Sequence, residues 1–211
     1  MTYTQPNLAT SALITVDTQN DFTLDGAPAQ VPGTIAIIPN MVRLLRCYRE
    51  LRLPIIHIVR IYLPDGSNAD LCRRAVLESG AKLVLPGSIG VDLVADLKPN
   101  PTVKLDTDRL LKGHIQQWSD NEVVIYKPRW GAFHGTPLSD HLKILNIDTL
   151  LFCGCNFPNC PRTSIYEASA RDYKLMLAED ALSGLYEKGR QEMENIGVEV
   201  VSTETILAGL S

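Results

Sequence analysis

Three ionisable residues of different chemistry stand at or just beyond the ends of apolar runs. Asp17 closes Ser11–Asp17 (SALITVD), Lys127 closes Glu122–Lys127 (EVVIYK), and Cys160 follows Thr149–Cys153 (TLLFC) after the short loop Gly154–Asn159. A thiol, an ammonium group and a carboxylate are the parts of nucleophilic catalysis. The thiolate attacks, the cation stabilises it, and the carboxylate takes a proton and returns it to a leaving amine. Pro161 follows Cys160. Proline is favoured at the first helical position, so Cys160 is expected at a helix N-cap, where unpaired N–H groups and the helix dipole favour a thiolate. Lys127 is expected to lower the thiol pKa further. The same N–H groups could hold an oxyanion developing on a substrate carbonyl. Each residue also has an ordinary reading: a turn aspartate, a solvated lysine, an inert packed cysteine.

The remaining thiols and the histidines offer less. Cys153 lies in an apolar run and reads as core, Cys47 and Cys72 fall on helical patterns, and Cys155 sits in the loop before Cys160, where it could line a site. A Cys153–Cys155–Cys160 cluster is not a zinc spacing without a matching His or Cys pair elsewhere, so no metal site is expected. His57 reads as a satisfied core histidine. His134, which follows Lys127 in the chain, is the backup base. Pro86-Gly87-Ser88-Ile89-Gly90 follows no strand and reads as a turn rather than a phosphate loop.

These residues need a scaffold that brings strand ends together. The three runs above, with Pro54–Tyr62, Lys174–Ala178 and Val198–Ser202, are continuous and rich in Val, Ile and Leu. Such runs suit strands buried on both faces of a parallel sheet. Helical patterns fill the gaps. Ile38, Met41, Val42, Leu45, Tyr48 and Leu51 recur at three and four residues, and Leu138–Leu145, Pro161–Arg171, Glu187–Ile196 and Thr203–Leu210 follow. The expectation is an α/β, doubly wound, Rossmann-like sheet of about six mainly parallel strands with helices on both faces. In that fold ligands bind beyond the carboxyl ends of the strands, the edge that carries Asp17, Lys127 and Cys160. Residues 1–211 are expected to form one domain. The stretch 64–121 is too long for a simple crossover and reads as an irregular insertion, a pocket wall or an oligomer contact.

The composition excludes other classes. The 211 residues carry 20 basic and 24 acidic side chains, a formal net charge of −4, which lacks the basic footprint of a nucleic-acid binder. No apolar run approaches the ~18 residues of a membrane span. Met1–Thr10 has no basic n-region or apolar core, so no signal peptide is expected. Five cysteines, an odd number in a chain of this size, do not read as a disulfide framework. The expectation is a cytoplasmic protein with a small-molecule substrate and no cofactor.

Three segments resemble the isochorismatase-like cysteine hydrolases. Leu13-Ile14-Thr15-Val16-Asp17-Thr18-Gln19-Asn20-Asp21-Phe22 is similar to the family's first-strand motif. Lys127-Pro128-Arg129-Trp130-Gly131-Ala132-Phe133 is similar to its lysine motif, and Cys153–Thr163 to its nucleophile loop. The resemblance covers about residues 11–205. It implies an Asp17–Lys127–Cys160 triad that hydrolyses a small amide, ureido or carbamoyl C–N bond through a thioester-type intermediate. It also implies a cis peptide at Cys155–Asn156, backbone N–H groups of Asn156 and Cys160 around the oxyanion, and a homo-oligomer, dimer or tetramer. The chain departs from the family pattern in places. The zinc-dependent nicotinamidase branch carries Asp-x-His after its second strand, where this chain reads Arg60-Ile61-Tyr62-Leu63. Phe157 and Pro158 stand where Thr and Asp are usual, and Gly131 where Ser is usual. The isochorismate hydrolases proper lack the nucleophilic cysteine, so Cys160 argues against that branch.

Phe22 and Trp130 are candidate aromatic walls of the pocket, and Arg60 or Arg129 could meet a substrate carboxylate. Three other readings stand beside this one: an isochorismatase-type or other hydrolase of a small metabolite, a metal hydrolase, and a redox-sensing or binding module without catalysis. The redox reading needs a thiol poised near Cys160 and Lys127 turned to solvent.

Overall fold

A computed structural model describes residues 3–210 of the chain. Seven strands form one sheet: β1 Ser11–Val16, β2 Ile55–Val59, β3 Gln116–Ser119, β4 Glu122–Tyr126, β5 Thr149–Gly154, β6 Lys174–Leu182 and β7 Glu199–Val201. Their order is β3-β4-β2-β1-β5-β6-β7, and all neighbours are parallel except β3 with β4. The helices are α1 Asn20–Thr23, α2 Thr34–Glu50, α3 Leu71–Glu78, α4 Thr107–Leu111, α5 Leu138–Ile144, α6 Cys160–Ser169, α7 Glu187–Asn195 and α8 Thr203–Leu210. No helix among the described residues is long and apolar enough to cross a membrane.

The α/β sheet forms as expected, with one strand more than the sequence suggests. Strand β3 (QQWS) lies inside the stretch 64–121 and pairs antiparallel with β4 across the two-residue turn Asp120–Asn121. It is an edge strand, polar and only part-buried, so it lacks the continuous apolar run by which buried parallel strands are recognised.

Alternate residues of each central strand serve opposite faces. Ile14, Ile56, Ile125, Phe152 and Leu177 pack in a core with residues of α5, α6 and α7, while Leu13, Ile55, Leu151 and Met176 pack with α2 and α8. Helix α2 turns Ile37, Ile38, Met41, Leu44, Leu45 and Tyr48 inward at three- and four-residue spacing. A third cluster, under the 64–121 excursion, gathers Val59, Ile61, Tyr62, Leu77, Leu83 and Val91.

Strand β1 lies between β2 and β5, and from it the chain winds first to one side and then to the other. The switch point is therefore the gap between the carboxyl ends of β1 and β5, where such sheets bind ligands. Val16 pairs with Gly154 across that gap, and the Cys155 N–H donates to the Val16 carbonyl at 2.8 Å. Gly154 has φ 118°, and a Cβ at this position would overlap the Val16 carbonyl oxygen.

Candidate active site

Backbone pairing carries the ladder one residue past the strand ends. The Asp17 N–H donates to Ile58 O at 2.9 Å, and the Lys127 N–H to Val59 O at 3.0 Å. Asp17, Arg60 and Lys127 thus leave three adjacent strands at one level. Lys127 starts two strands from β1, roughly 10 Å away laterally, a span its long stem crosses. Its Nζ lies 2.8 Å from Asp17 Oδ2 and donates to Cys160 Sγ at 3.2 Å. Lys127 is fully buried, and Asp17 is nearly so. Oδ1 of Asp17 is buried with no hydrogen-bond partner among the described residues.

Cys160 stands one position further along than expected. Asn159 is the N-cap, Cys160 is the first residue of α6, and Pro161 is the second. Proline tolerates either early position, since neither N–H has an intrahelical acceptor. The thiol pKa also goes the other way from the expectation. Burial first, and the Asp17 charge second, push it up to about 11, against the opposing pull of Lys127 and Arg60. Desolvation outweighs the cation because Lys127 shares its charge with Asp17. Cys160 is therefore a thiol beside a carboxylate that has a free oxygen.

The nucleophile loop is tied on both sides. The Cys155–Asn156 peptide is cis. Phe157 N–H donates to Ser183 O and Ser183 N–H to Gly154 O. The Thr34 hydroxyl lies 2.9 Å from Ser183 Oγ and 3.5 Å from Cys155 Sγ. Neither the Asn156 nor the Cys160 N–H donates to a described residue, so both remain available to an oxyanion. Ser164 joins the nucleophile turn to the lysine loop, donating to Cys160 O at 2.7 Å and accepting from the Ala132 N–H at 3.0 Å. Glu167 accepts from the Phe133 N–H at 2.8 Å, and its carboxylate fills the space that a side chain at Gly131 would take. Ser164 and Glu167 escaped the sequence reading, although they lie four and seven residues past Cys160 on one helix face.

Asp17, Cys155, Asn156 and Cys160 line a cavity of about 340 Å³, together with Phe22, Arg60, Tyr62, Arg73 and Trp130. Phe22, Trp130 and Arg60 thus line the cavity. Arg129 does not: it is exposed, its Nη1 donates to the carbonyls of Asn68 and Pro128, and it is not among the lining residues. His134 is exposed and also outside the lining. His57 lies in the core, with Nδ1 2.7 Å from Thr15 Oγ1 and Nε2 2.8 Å from Glu122 Oε1. Phe157 is fully buried in an edge contact with Tyr186 rather than facing the cavity. The 64–121 excursion supplies one wall through Arg73, Val76 and Leu83.

The residues do not fit the zinc centre of the nicotinamidase branch. Arg60, Ile61 and Tyr62 follow β2, and among the described residues no three His, Cys, Asp or Glu side chains are grouped to hold a metal. All five thiols are free.

Comparison with known proteins defines the class. The family model of the isochorismatase domain matches residues 11–205, so the chain belongs to the isochorismatase family. A probable inactive nicotinamidase of Arabidopsis thaliana is 29% identical over 194 residues, covering 89% of this chain and 90% of its own. N-carbamoylsarcosine amidase of an Arthrobacter species is 26% identical over 206 residues, covering 93% and 69%. The crystal structure of an isochorismatase family protein from Desulfovibrio vulgaris is 32% identical, with TM-score 0.80 over 94% of this chain and 98% of its own.

Proposed function

We propose that the chain is a cysteine hydrolase that cleaves the C–N bond of a small amide, ureido or carbamoyl substrate. The observation that carries this reading is the buried ammonium of Lys127, 2.8 Å from Asp17 Oδ2 and 3.2 Å from Cys160 Sγ. Asp17 Oδ1 takes the thiol proton as Sγ attacks the substrate carbonyl. Lys127 neutralises the charge gathered on sulfur and carboxylate. The Asn156 and Cys160 N–H groups hold the oxyanion. Asp17 then gives the proton to the departing nitrogen, and the C–N bond breaks to leave a thioester on Cys160. A water molecule deprotonated by Asp17 attacks the thioester and releases the acid, and the thiol recovers its proton. The three groups titrate as a coupled set. Amidase activity of the Arthrobacter relative is consistent with this chemistry.

The redox reading gains no support from the geometry, since Lys127 is buried against Cys160 rather than turned to solvent. A screen of small amides, ureas and carbamates with an ammonia readout tests the proposal. Any substrate found is expected to lose turnover completely in Cys160→Ala, with circular dichroism unchanged. Normal turnover in that variant would overturn the covalent mechanism.

A further inference from the structure

We propose that Arg60 is an anion subsite of the cavity, so that the substrate is an amide, ureido or carbamoyl acid whose carboxylate the guanidinium holds while its scissile carbonyl lies at Cys160. The inference rests on the hydrolase reading of the same cavity and adds the substrate's charge to it.

A guanidinium taken out of water costs several kcal/mol unless its donors are met. Arg60 lines the cavity with its side chain only 3% exposed, yet none of its side-chain N–H groups hydrogen-bonds to a described residue, and Nη1 is fully buried without a partner. Asp70 Oδ2 lies 3.2 Å from Nη1, a charge contact without hydrogen-bond geometry, and the same oxygen accepts from the Tyr62 hydroxyl at 3.4 Å. The guanidinium also lies over the Tyr62 ring, 5.5 Å from its centroid. These contacts hold the group in place and enclose Nη1 beside Asp70, while the other side-chain N–H groups have no hydrogen-bond partner among the described residues. Those remaining N–H groups are charged donors that a carboxylate in the cavity would match.

The backbone of Arg60 is clamped as well. Gln19 is fully buried, its Oε1 accepts from the Arg60 N–H at 2.7 Å, and its Nε2 donates to Arg60 O at 2.7 Å and to Val91 O at 2.6 Å. Gln19 lies two residues beyond Asp17, so one turn positions both the proton acceptor and the cation. The charge around the cavity favours an anion. Asp17 is matched by Lys127 and Arg60 stands against Asp70, so the Arg73 guanidinium is the charge left uncompensated at the lining. Phe22, Val31, Val76 and Leu83 supply apolar walls, and about 340 Å³ admits a small metabolite.

The test uses a matched pair, N-carbamoylglycine and N-carbamoylglycinamide, which differ only in carboxylate against carboxamide. Their affinities are measured by calorimetry or NMR titration on Cys160→Ala, where no turnover intervenes. The acid is expected to bind at least tenfold more tightly. Adding Arg60→Gln should bring the pair level, and Arg60→Lys should restore part of the difference. Equal affinities in Cys160→Ala alone would overturn the subsite, whether or not the arginine variants fold, and so would a preference that survives Arg60→Gln. A merely structural Arg60 would lower stability without moving the ratio. Ammonia release by the wild type, as fast from neutral amides as from acids, would overturn the subsite and keep the hydrolase. Tight, Arg60-dependent acid binding with no ammonia release from any acid would do the reverse.

Discussion

Strand β4 begins and ends on a buried charge. Glu122 opens it and Lys127 follows it, and both are fully buried. At the Glu122 end both carboxylate oxygens are met. Oε1 accepts from Arg49 Nη2 at 2.7 Å and pairs with His57 Nε2 at 2.8 Å, while Oε2 accepts from Arg49 Nε at 2.9 Å. Arg49 also donates to Leu97 O, and His57 meets Thr15. At the Lys127 end an oxygen of Asp17 and a nitrogen of Arg60 are left over. The same sheet thus carries one charge cluster closed on itself and one left open. Buried polar groups are almost always satisfied, so the open cluster is where a ligand is expected and the closed one is where the fold is held.

Substitutions should separate the two ends, and the largest effect belongs to the open one. Asp17→Asn is expected to lower turnover of any substrate found by about 10³-fold, since it removes the proton acceptor. A stable variant that keeps its turnover would place the proton elsewhere. At the closed end, Glu122→Ala should cost about 3–5 kcal/mol in denaturant unfolding, by stranding Arg49 and His57. A loss below about 1 kcal/mol would break the comparison. The pH dependence has a definite sign. Although burial raises it, Arg49 and His57 hold the Glu122 carboxyl down at about 2, below its ordinary 4.5. Its contribution is therefore complete above pH 4.5 and is lost as pH falls toward 2. Burial lowers the His57 pKa, which acts in the same direction. Acid unfolding followed by fluorescence should show a flatter acid limb in Glu122→Gln.

Two smaller effects sharpen the picture of the open end. Gly131→Ser should displace the Glu167 carboxylate from the Phe133 N–H and cost about 1–3 kcal/mol. Combining it with Glu167→Ala should be less than additive in thermal unfolding, and strict additivity would sink the steric account. The pH profile of Cys160 alkylation should have its midpoint near 11. The midpoint should fall in Asp17→Asn, which removes a charge that raises it, and rise in Lys127→Met. A midpoint that ignores both changes would show that the thiol does not sense the pair.

Most of the open cluster was legible in the sequence because its members sit where strands stop. An apolar run that ends in Asp17 or Lys127 marks both the element and the edge to which it delivers the side chain. Glu122 also borders such a run, but its partners Arg49 and His57 come from α2 and β2, and nothing in their spacing announces the contact. The N-cap placement failed by one residue because proline fits either early helical position. The direction of the Cys160 pKa failed because burial depends on the whole cavity, which no local pattern reports. Arg129 and Arg60 look alike as sequence. Only the third cluster, packed beneath the excursion, buries one and leaves the other outside.

The close approach at Gly154 sets a tolerance. Asp17 and the Cys155–Cys160 loop are spaced by main chain against main chain, with no side chain between β1 and β5 that mutation could shorten or swell. Arg73, Val76 and Leu83, by contrast, reach the cavity from an excursion that shares no ladder with β1 or β5. Grafting a different excursion onto this sheet should change which molecules enter while leaving the interval between Asp17 and Cys160 untouched. The molecule is in this sense a fixed gauge with an exchangeable mouth.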